Sequence, residues 1–307
     1  MDIRSALKEA MHRLRAAGVP SHTLAAELLL MLVTGRERVW LYAHHEEPLD
    51  AAQEKNYFDL VARRIGGTPT QYLTGKQEFW GLEFEVAPGV LIPRPETEHV
   101  VEVALERFSV KHGLSFARDT SLGAASGGAL RIADVGTGSG CLAVALAKEF
   151  PEATVVATDI SAAALEIARR NTARHGVASR IEFQECNLLD VFFHSPLATH
   201  HSPLPFDLII SNPPYIAHDE SSELPREVRE HEPHAALFGG AHGAEIYAPL
   251  IEQAGILLRD GGIFVCEIGF GALDRVRPLL ADASVWTAVR VTNDLAGIPR
   301  VLSAQRV

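Results

Sequence analysis

Cysteine is scarce in this 307-residue chain: Cys141, Cys186 and Cys266 are the only three. They lie far apart, odd in number and without a CxxC pair, so neither a disulfide framework nor a structural zinc site is supported. Long apolar runs are missing too. The longest, Leu24 to Val33, contains Glu27 and falls far short of the ~20 residues needed to cross a bilayer. No basic flank leads into an apolar stretch after Met-Asp-Ile-Arg-Ser, so no secretory signal is expected. A cytoplasmic protein without membrane partners follows as the expectation. Basic charge is in the minority, with 28 Lys and Arg against 39 Asp and Glu and a formal net charge of −11. Such a balance opposes a broad phosphate-binding surface, and no direct nucleic-acid partner is expected. The histidines are scattered; His194 and His200-His201 sit in a Pro/Ser-rich stretch that reads as a solvated loop, and no metal is expected.

What is present suits a folded globular protein, with 47% hydrophobic and 22% charged residues and enough length for two domains of ~150 residues. Ile3, Leu7, Met11 and Leu14 share one face of a helix that Gly18-Val19-Pro20 stops. Ser21 or His22 opens a second helix, whose apolar residues from Leu24 to Val33 cover nearly all sides and predict a place in the middle of a bundle. Tyr57, Leu60, Val61 and Ile65 mark a third, closed by Gly66-Gly67. Nine Lys/Arg balance nine Asp/Glu over residues 1–75, which predicts a small neutral helical docking domain there.

From Gln77 to Ile92 the period falls to two. Phe79, Gly81-Leu82, Phe84 and Val86 alternate with polar residues, Pro88-Gly89 turns the chain, and Val90-Leu91-Ile92 follows, predicting a β-hairpin linker over 76–98. Pro93 and Pro95 forbid its continuing as a central strand. Ser115–Gly128 reads as a surface loop. Strands are then predicted at Leu130–Val135, Thr154–Thr158, Ile181–Cys186, Phe206–Ser211, Ile263–Ile268, Thr287–Val291 and Val301–Ala304, with helices Cys141–Glu149, Ala162–His175 and Glu245–Leu258 among them. Hydrophobic strands alternating with helices predict an α/β domain over 99–307, a mostly parallel sheet covered on both faces. The last two strands, close together, predict an antiparallel edge.

The first chemical signal is Asp134-Val135-Gly136-Thr137-Gly138-Ser139-Gly140, between a strand and a helix. Glycines let the backbone approach a ligand, and the helix N-terminus supplies free N–H groups. Cys141 stands where a dinucleotide fingerprint has its third glycine, which disfavours an NAD-dependent oxidoreductase, and no P-loop lysine follows. Taken alone the glycines also fit a tight structural turn. Asp159, 19 residues after Gly140 at the next strand end, can accept two ribose hydroxyls or, with Ser161, cap the following helix. Both features together favour an adenosine-containing cofactor, whose adenine edge would meet Asn187 and Leu188 after the third strand of the sheet.

Ser211-Asn212-Pro213-Pro214-Tyr215 ends the fourth strand, where open α/β sheets bind ligands. The prolines fix the backbone and have no N–H of their own, and Asn212 adds a side-chain carbonyl. Two fixed acceptors can grip a planar –NH2 by both protons while Tyr215 stacks on its plane. No nucleophile–base pair stands out, since neither Ser139 nor Ser211 lies in a Gly-x-Ser-x-Gly elbow; a catalyst that works by positioning needs none. A cofactor-binding regulator without catalysis stays open at this level.

At these residues the chain resembles the S-adenosylmethionine-dependent peptide chain release factor glutamine methyltransferases, the HemK/PrmC family. The likeness runs through Gln71–Gly75, Glu78–Gly81, Leu91–Glu98, Asp134–Gly140, Asn212–Ile216, Glu232-Pro233, Ala236-Leu237, Gly239-Gly240, Glu267–Gly269 and Asp294–Gly297. Asn-Pro-Pro-Tyr alone is shared with adenine-N6 nucleic-acid methyltransferases, and a sister enzyme on a large-subunit ribosomal protein typically has Pro-Arg-Ser-Pro where this chain has Pro-Arg-Pro-Glu. The resemblance implies a class I, Rossmann-like methyltransferase fold with a seven-stranded sheet. The implied reaction is methylation of N5 of the Gly-Gly-Gln glutamine in class 1 release factors, with S-adenosylhomocysteine as the other product. It implies that Gly136, Thr137, Gly138, Ser139 and Gly140 hold the methionine part of the cofactor, Asp159 its ribose, and Asn187 and Leu188 its adenine. Many relatives have an acidic and an apolar residue at those last two places. Asn212, also against the cofactor, and the Pro213 carbonyl would bind the substrate amide, with Pro214 completing the rigid turn and Tyr215 packing on the amide. The N-terminal helices would engage the release factor, the enzyme acting as a monomer. Ser115–Gly128 and His194–Pro205 look like surface insertions, Arg94 and Glu96 form an ion pair or shape the cofactor pocket, and Asp219–Glu232 is a solvated loop or a lid.

Overall fold

The computed structural model describes residues 1–112, 129–194 and 205–307. The expected loop Ser115–Gly128 and residues 195–204 of the second insertion lie outside them. The chain divides into two compact units.

The first unit comprises Met1–Lys76, Val86–Pro88 and Leu224–Glu232. Its helices are α1 (Ile3–Ala16), α2 (His22–Thr34), α3 (Arg38–Ala43), α4 (Ala51–Ile65) and α5 (Thr70–Thr74). Asp2 caps α1 by accepting the Ser5 N–H at 2.7 Å, and Asp50 with Gln53 forms a capping box on α4. Ile3, Leu7 and Leu14 are buried as their spacing requires. Helix α2 packs against α1, α3, α4 and α5 and so takes the expected place in the middle of the bundle; its buried side holds Ala25, Ala26, Leu29 and Leu30, while Leu24 and Leu32 stay exposed. Its one acidic residue, Glu27, is fully buried, with Arg38 Nε at 2.8 Å and the Tyr42 hydroxyl donating to it. Within the same unit the buried Arg64 pairs with Glu227 of the helix Arg226–His231. The acidic stretch is therefore helical in part, with Leu224–Glu232 packed into this unit, rather than a solvated loop throughout.

The second unit carries two sheets. Strands β1 (Lys76–Phe79) and β2 (Leu82–Glu85) form a hairpin. Trp80 and Gly81, at φ 55° and 69°, supply the two positive-φ positions of a two-residue turn. The hairpin turn is thus at Trp80-Gly81; Pro88-Gly89 turns the chain as expected, but Val90–Ile92 after it belongs to no strand. The large sheet holds β3 (Arg131–Val135), β4 (Thr154–Asp159), β5 (Ile181–Glu185), β6 (Phe206–Ser211), β7 (Leu258–Glu267), β8 (Trp286–Asn293) and β9 (Pro299–Arg306), in the order β5-β4-β3-β6-β7-β9-β8. Strands β3 to β7 are mutually parallel where they pair; β9 runs antiparallel to β7 and β8 to β9. Helices α6 (Glu98–His112) and α7 (Cys141–Glu149) bring Val100, Ala104 and Leu146 to one face, with Ile132, Leu208 and Val265. Leu250, Ala254 and Tyr247 cover the other face over Ile209, Phe264 and Cys266. Burial on both sides is why these strands read as continuous apolar runs. Pairing of Val135 with both Thr158 and Ser211 brings three carboxyl ends level, so the segments after β3, β4 and β6 leave the sheet at one edge.

Candidate active site

Directly after β3 the chain turns back on β4, with the Gly136 and Thr137 N–H groups both donating to the Thr158 carbonyl at 2.9 Å. Beneath this loop Asp134 is fully buried. Its Oδ2 accepts from the Thr137 hydroxyl at 2.6 Å and the Ala143 N–H at 3.0 Å, whereas Oδ1 has no partner among the described residues. Burial pushes this carboxyl up to about 7 despite those two hydrogen bonds. Asn171, on α8 (Ala162–Arg174), donates to the Ser139 carbonyl at 2.9 Å and the Glu85 carbonyl at 3.0 Å while accepting the Glu85 N–H. One buried asparagine thus ties the glycine loop to β2.

Asp159 ends β4 with Oδ1 accepting from Ser161 N and Oδ2 from Gly138 N, both at 2.9 Å. Burial raises its pKa. The helix cap is made by Ser161, whose Oγ accepts the Ala164 N–H. After β5, Asn187 donates to Asp190 at 3.2 Å and Leu188 takes a positive φ of 48°.

Beyond β6 the Ser211 hydroxyl donates to the Val135 carbonyl at 2.7 Å. Asn212 Nδ2 donates to Thr97 Oγ1 at 2.9 Å, Thr97 Oγ1 donates to Glu267 Oε2 at 2.7 Å, and the Tyr215 hydroxyl donates to Glu267 Oε1 at 3.1 Å. Glu267 is fully enclosed at the end of β7, and burial raises its pKa against the hydrogen bonds from Thr97 and Tyr215. Burial likewise raises the Tyr215 phenol; the Arg94 charge is felt there and that of Glu96 at Glu267. Two glycines admit this turn: a Cβ on Gly239 would lie 2.4 Å from the Pro214 carbonyl oxygen, and one on Gly269 would lie 2.8 Å from the Tyr215 ring.

A cavity of about 340 Å³ opens here, within the usual range for small-molecule sites. Of the residues singled out above, Gly136, Gly138, Asp159, Asn187, Leu188, Asn212, Pro213 and Pro214 line it. Thr137, Ser139, Gly140 and Tyr215 are not in its wall; Tyr215 packs behind, on Gly269 and Glu267. Val90, Ile160, Ala236 and Phe238 also contribute, none of them assigned a role from sequence, nor were Thr97, Asn171 and Glu267. The signal for Glu267 was its place at a strand end next to β6, since Ser211 pairs with Cys266. An adenosine-type cofactor fits this wall: the Asp159 carboxylate borders it, and Asp134 Oδ1 and Thr158 Oγ1 beneath the loop are buried without partners among the described residues. Among the described residues no cluster of three His, Cys, Asp or Glu stands together to hold a metal ion.

Comparison with known proteins places these features. Residues 5–75 match the PrmC N-terminal domain and residues 123–230 the methyltransferase small domain. A release factor glutamine methyltransferase of Koribacter versatilis is 40% identical over 306 residues, covering 100% of this chain and 99% of that one. One from Chlorobaculum tepidum is 42% identical over 280 residues, covering 91% and 89%. Among solved structures the hMettl16 catalytic domain, crystallised with an RNA hairpin, superposes with a TM-score of 0.53 at 17% identity over 80% of this chain and 81% of that one; at that identity the likeness is one of fold.

Proposed function

Because the chain belongs to the family of release factor glutamine methyltransferases, we propose that it methylates the side-chain amide of the Gly-Gly-Gln glutamine in class 1 peptide chain release factors, with S-adenosylmethionine as donor. Bound S-adenosylmethionine supplies an electrophilic methyl carbon on a sulfonium. Gly136 and Gly138 border the methionine part and Asp159 the ribose, with Asn187 and Leu188 toward the adenine. The observation that carries the substrate assignment is the use of Asn212 Nδ2 by Thr97, which commits the –NH2 end of that side chain and leaves Oδ1 as the end turned away from Thr97. The neighbouring Pro213 carbonyl has no N–H following it, because residue 214 is proline.

These two oxygens accept the two N–H protons of the glutamine amide. They hold its nitrogen in one place and draw density toward it, compensating for a lone pair otherwise delocalised into the carbonyl. Transfer forms the N–C bond as the carbon–sulfur bond breaks, and the cationic nitrogen then releases a proton to water. No side-chain base has to remove that proton beforehand. The test is tandem mass spectrometry of a class 1 release factor incubated with enzyme and S-adenosylmethionine. One methyl group on the Gly-Gly-Gln glutamine is expected, and Asn212→Ala lowers turnover by roughly 10² or more with a smaller change in cofactor affinity. An unmodified glutamine with folded, cofactor-binding enzyme contradicts the assignment.

A further inference from the structure

Asn212 can serve as an acceptor only if its amide is turned one way, and nothing in the Asn-Pro-Pro-Tyr turn itself decides which way. We propose that Thr97 and Glu267 are positioning residues for methyl transfer, a hydrogen-bond relay that fixes the Asn212 amide with Oδ1 toward the substrate. The inference rests on the function proposed above and adds two residues to it.

The proton inventory allows one arrangement. An ionised Glu267 can only accept. Its Oε2 is met by Thr97 Oγ1 at 2.7 Å and its Oε1 by the Tyr215 hydroxyl at 3.1 Å. The Thr97 hydroxyl has one proton, and with that proton committed to Glu267 it can only accept from Asn212. Asn212 meets it at 2.9 Å, so the –NH2 end must face Thr97. Both Thr97 and Glu267 are almost completely enclosed, at 2% and 1% exposure, so water does not offer competing partners. The opposite amide orientation would set a carbonyl oxygen against a hydroxyl oxygen whose proton is already used.

The relay is charge-dependent. A protonated Glu267 can donate to Thr97, whose proton is then free to turn to Asn212 Oδ1, and the amide can invert. The groups acting on this carboxyl are Thr97 and Glu96 from the segment before α6, Tyr215 from the turn after β6, and Arg300 from β9. The Tyr247 hydroxyl holds the Glu267 backbone carbonyl at 3.1 Å. Burial favours the neutral carboxyl and the two hydrogen bonds together with Arg300 favour the ionised one, so protonation begins at higher pH than for an exposed glutamate.

The test uses the full chain, a class 1 release factor and S-adenosylmethionine, with kcat, KM and cofactor Kd measured separately. Thr97→Val keeps the shape and removes the relay; kcat should fall by about 10- to 100-fold with cofactor Kd within about 2-fold, and Thr97→Ser should restore kcat to within about 3-fold of wild type. Glu267→Gln keeps a partner for Thr97 but no fixed polarity. Its kcat should also fall, and the decline of wild-type kcat at acidic pH should be missing from its profile. Wild-type kcat in Thr97→Val, failure of Thr97→Ser to recover, or parallel acid limbs in wild type and Glu267→Gln would each overturn the relay. Should Thr97→Val not fold, Thr97→Ser and the Glu267→Gln profile still decide. Wild-type enzyme that leaves the glutamine unmethylated overturns the proposed function instead.

Discussion

Asp134 has one carboxylate oxygen bonded twice and the other without a partner among the described residues, beneath the loop that borders the cavity. Its pKa stands at about 7 in the folded chain against an ordinary 3.8. A folded pKa above the unfolded one means that the protonated form is favoured by folding. The stabilisation is complete below about pH 4 and is lost as pH rises through about 7. Asn at this position keeps an acceptor for Thr137 and Ala143 but does not titrate. The melting temperature of Asp134→Asn relative to wild type should therefore rise between pH 5 and pH 8, on the order of 5 °C; parallel melting curves would show that the carboxyl is ionised throughout. Residues of this kind were partly legible. Asp159 and Asn212 stand immediately at strand ends, where position along the chain already points to a ligand. The roles of Thr97 and Glu267 were not, because their hydrogen bond joins residues 170 apart and no local pattern encodes such a pairing.

Among the elements, the β1–β2 hairpin shows the limit of periodicity. Alternation of Phe79, Leu82, Phe84 and Val86 marks extended chain but continues past the end of the ladder, so Pro88-Gly89 looked like the turn. What decides is Trp80-Gly81 at positive φ, a conformation that a tryptophan adopts only when the surrounding packing holds it. Trp80 is held by its N–H to Glu98 at 2.8 Å and its Nε1–H to Glu149 at 2.7 Å. The turn after β6 depends on its neighbours in the same way. Gly269→Ala would drive a methyl group into the Tyr215 ring, displacing the hydroxyl from Glu267 and disturbing Asn212 through it. Its kcat should fall by roughly 10-fold or more with a smaller effect on cofactor Kd, measured by steady-state kinetics and calorimetry. Unchanged kcat would mean that the turn relaxes without cost to the site.

On the scale of the whole molecule, the alternation of strands and helices foretold a mostly parallel sheet with an antiparallel edge, and the sheet has both. Its order was not legible: β9 inserts between β7 and β8, which depends on which edge the last strand pairs with. Nor was the membership of Leu224–Glu232 in the N-terminal unit, because the buried Arg64 announces its need for a carboxylate but not which of the chain's 39 acidic residues supplies it. The shared carboxyl edge of β3, β4 and β6 sets Asp159 and Asn212 in the wall of one cavity, and the proposed transfer depends on it. The most direct measurement is a crystal structure of the enzyme with S-adenosylhomocysteine and a Gly-Gly-Gln peptide. Asn212 Oδ1 and the Pro213 oxygen should both accept from the glutamine amide, whose nitrogen points at the sulfur while Asn212 Nδ2 remains on Thr97. A glutamine nitrogen bound elsewhere, or Asn212 turned from the sulfur, would contradict the account.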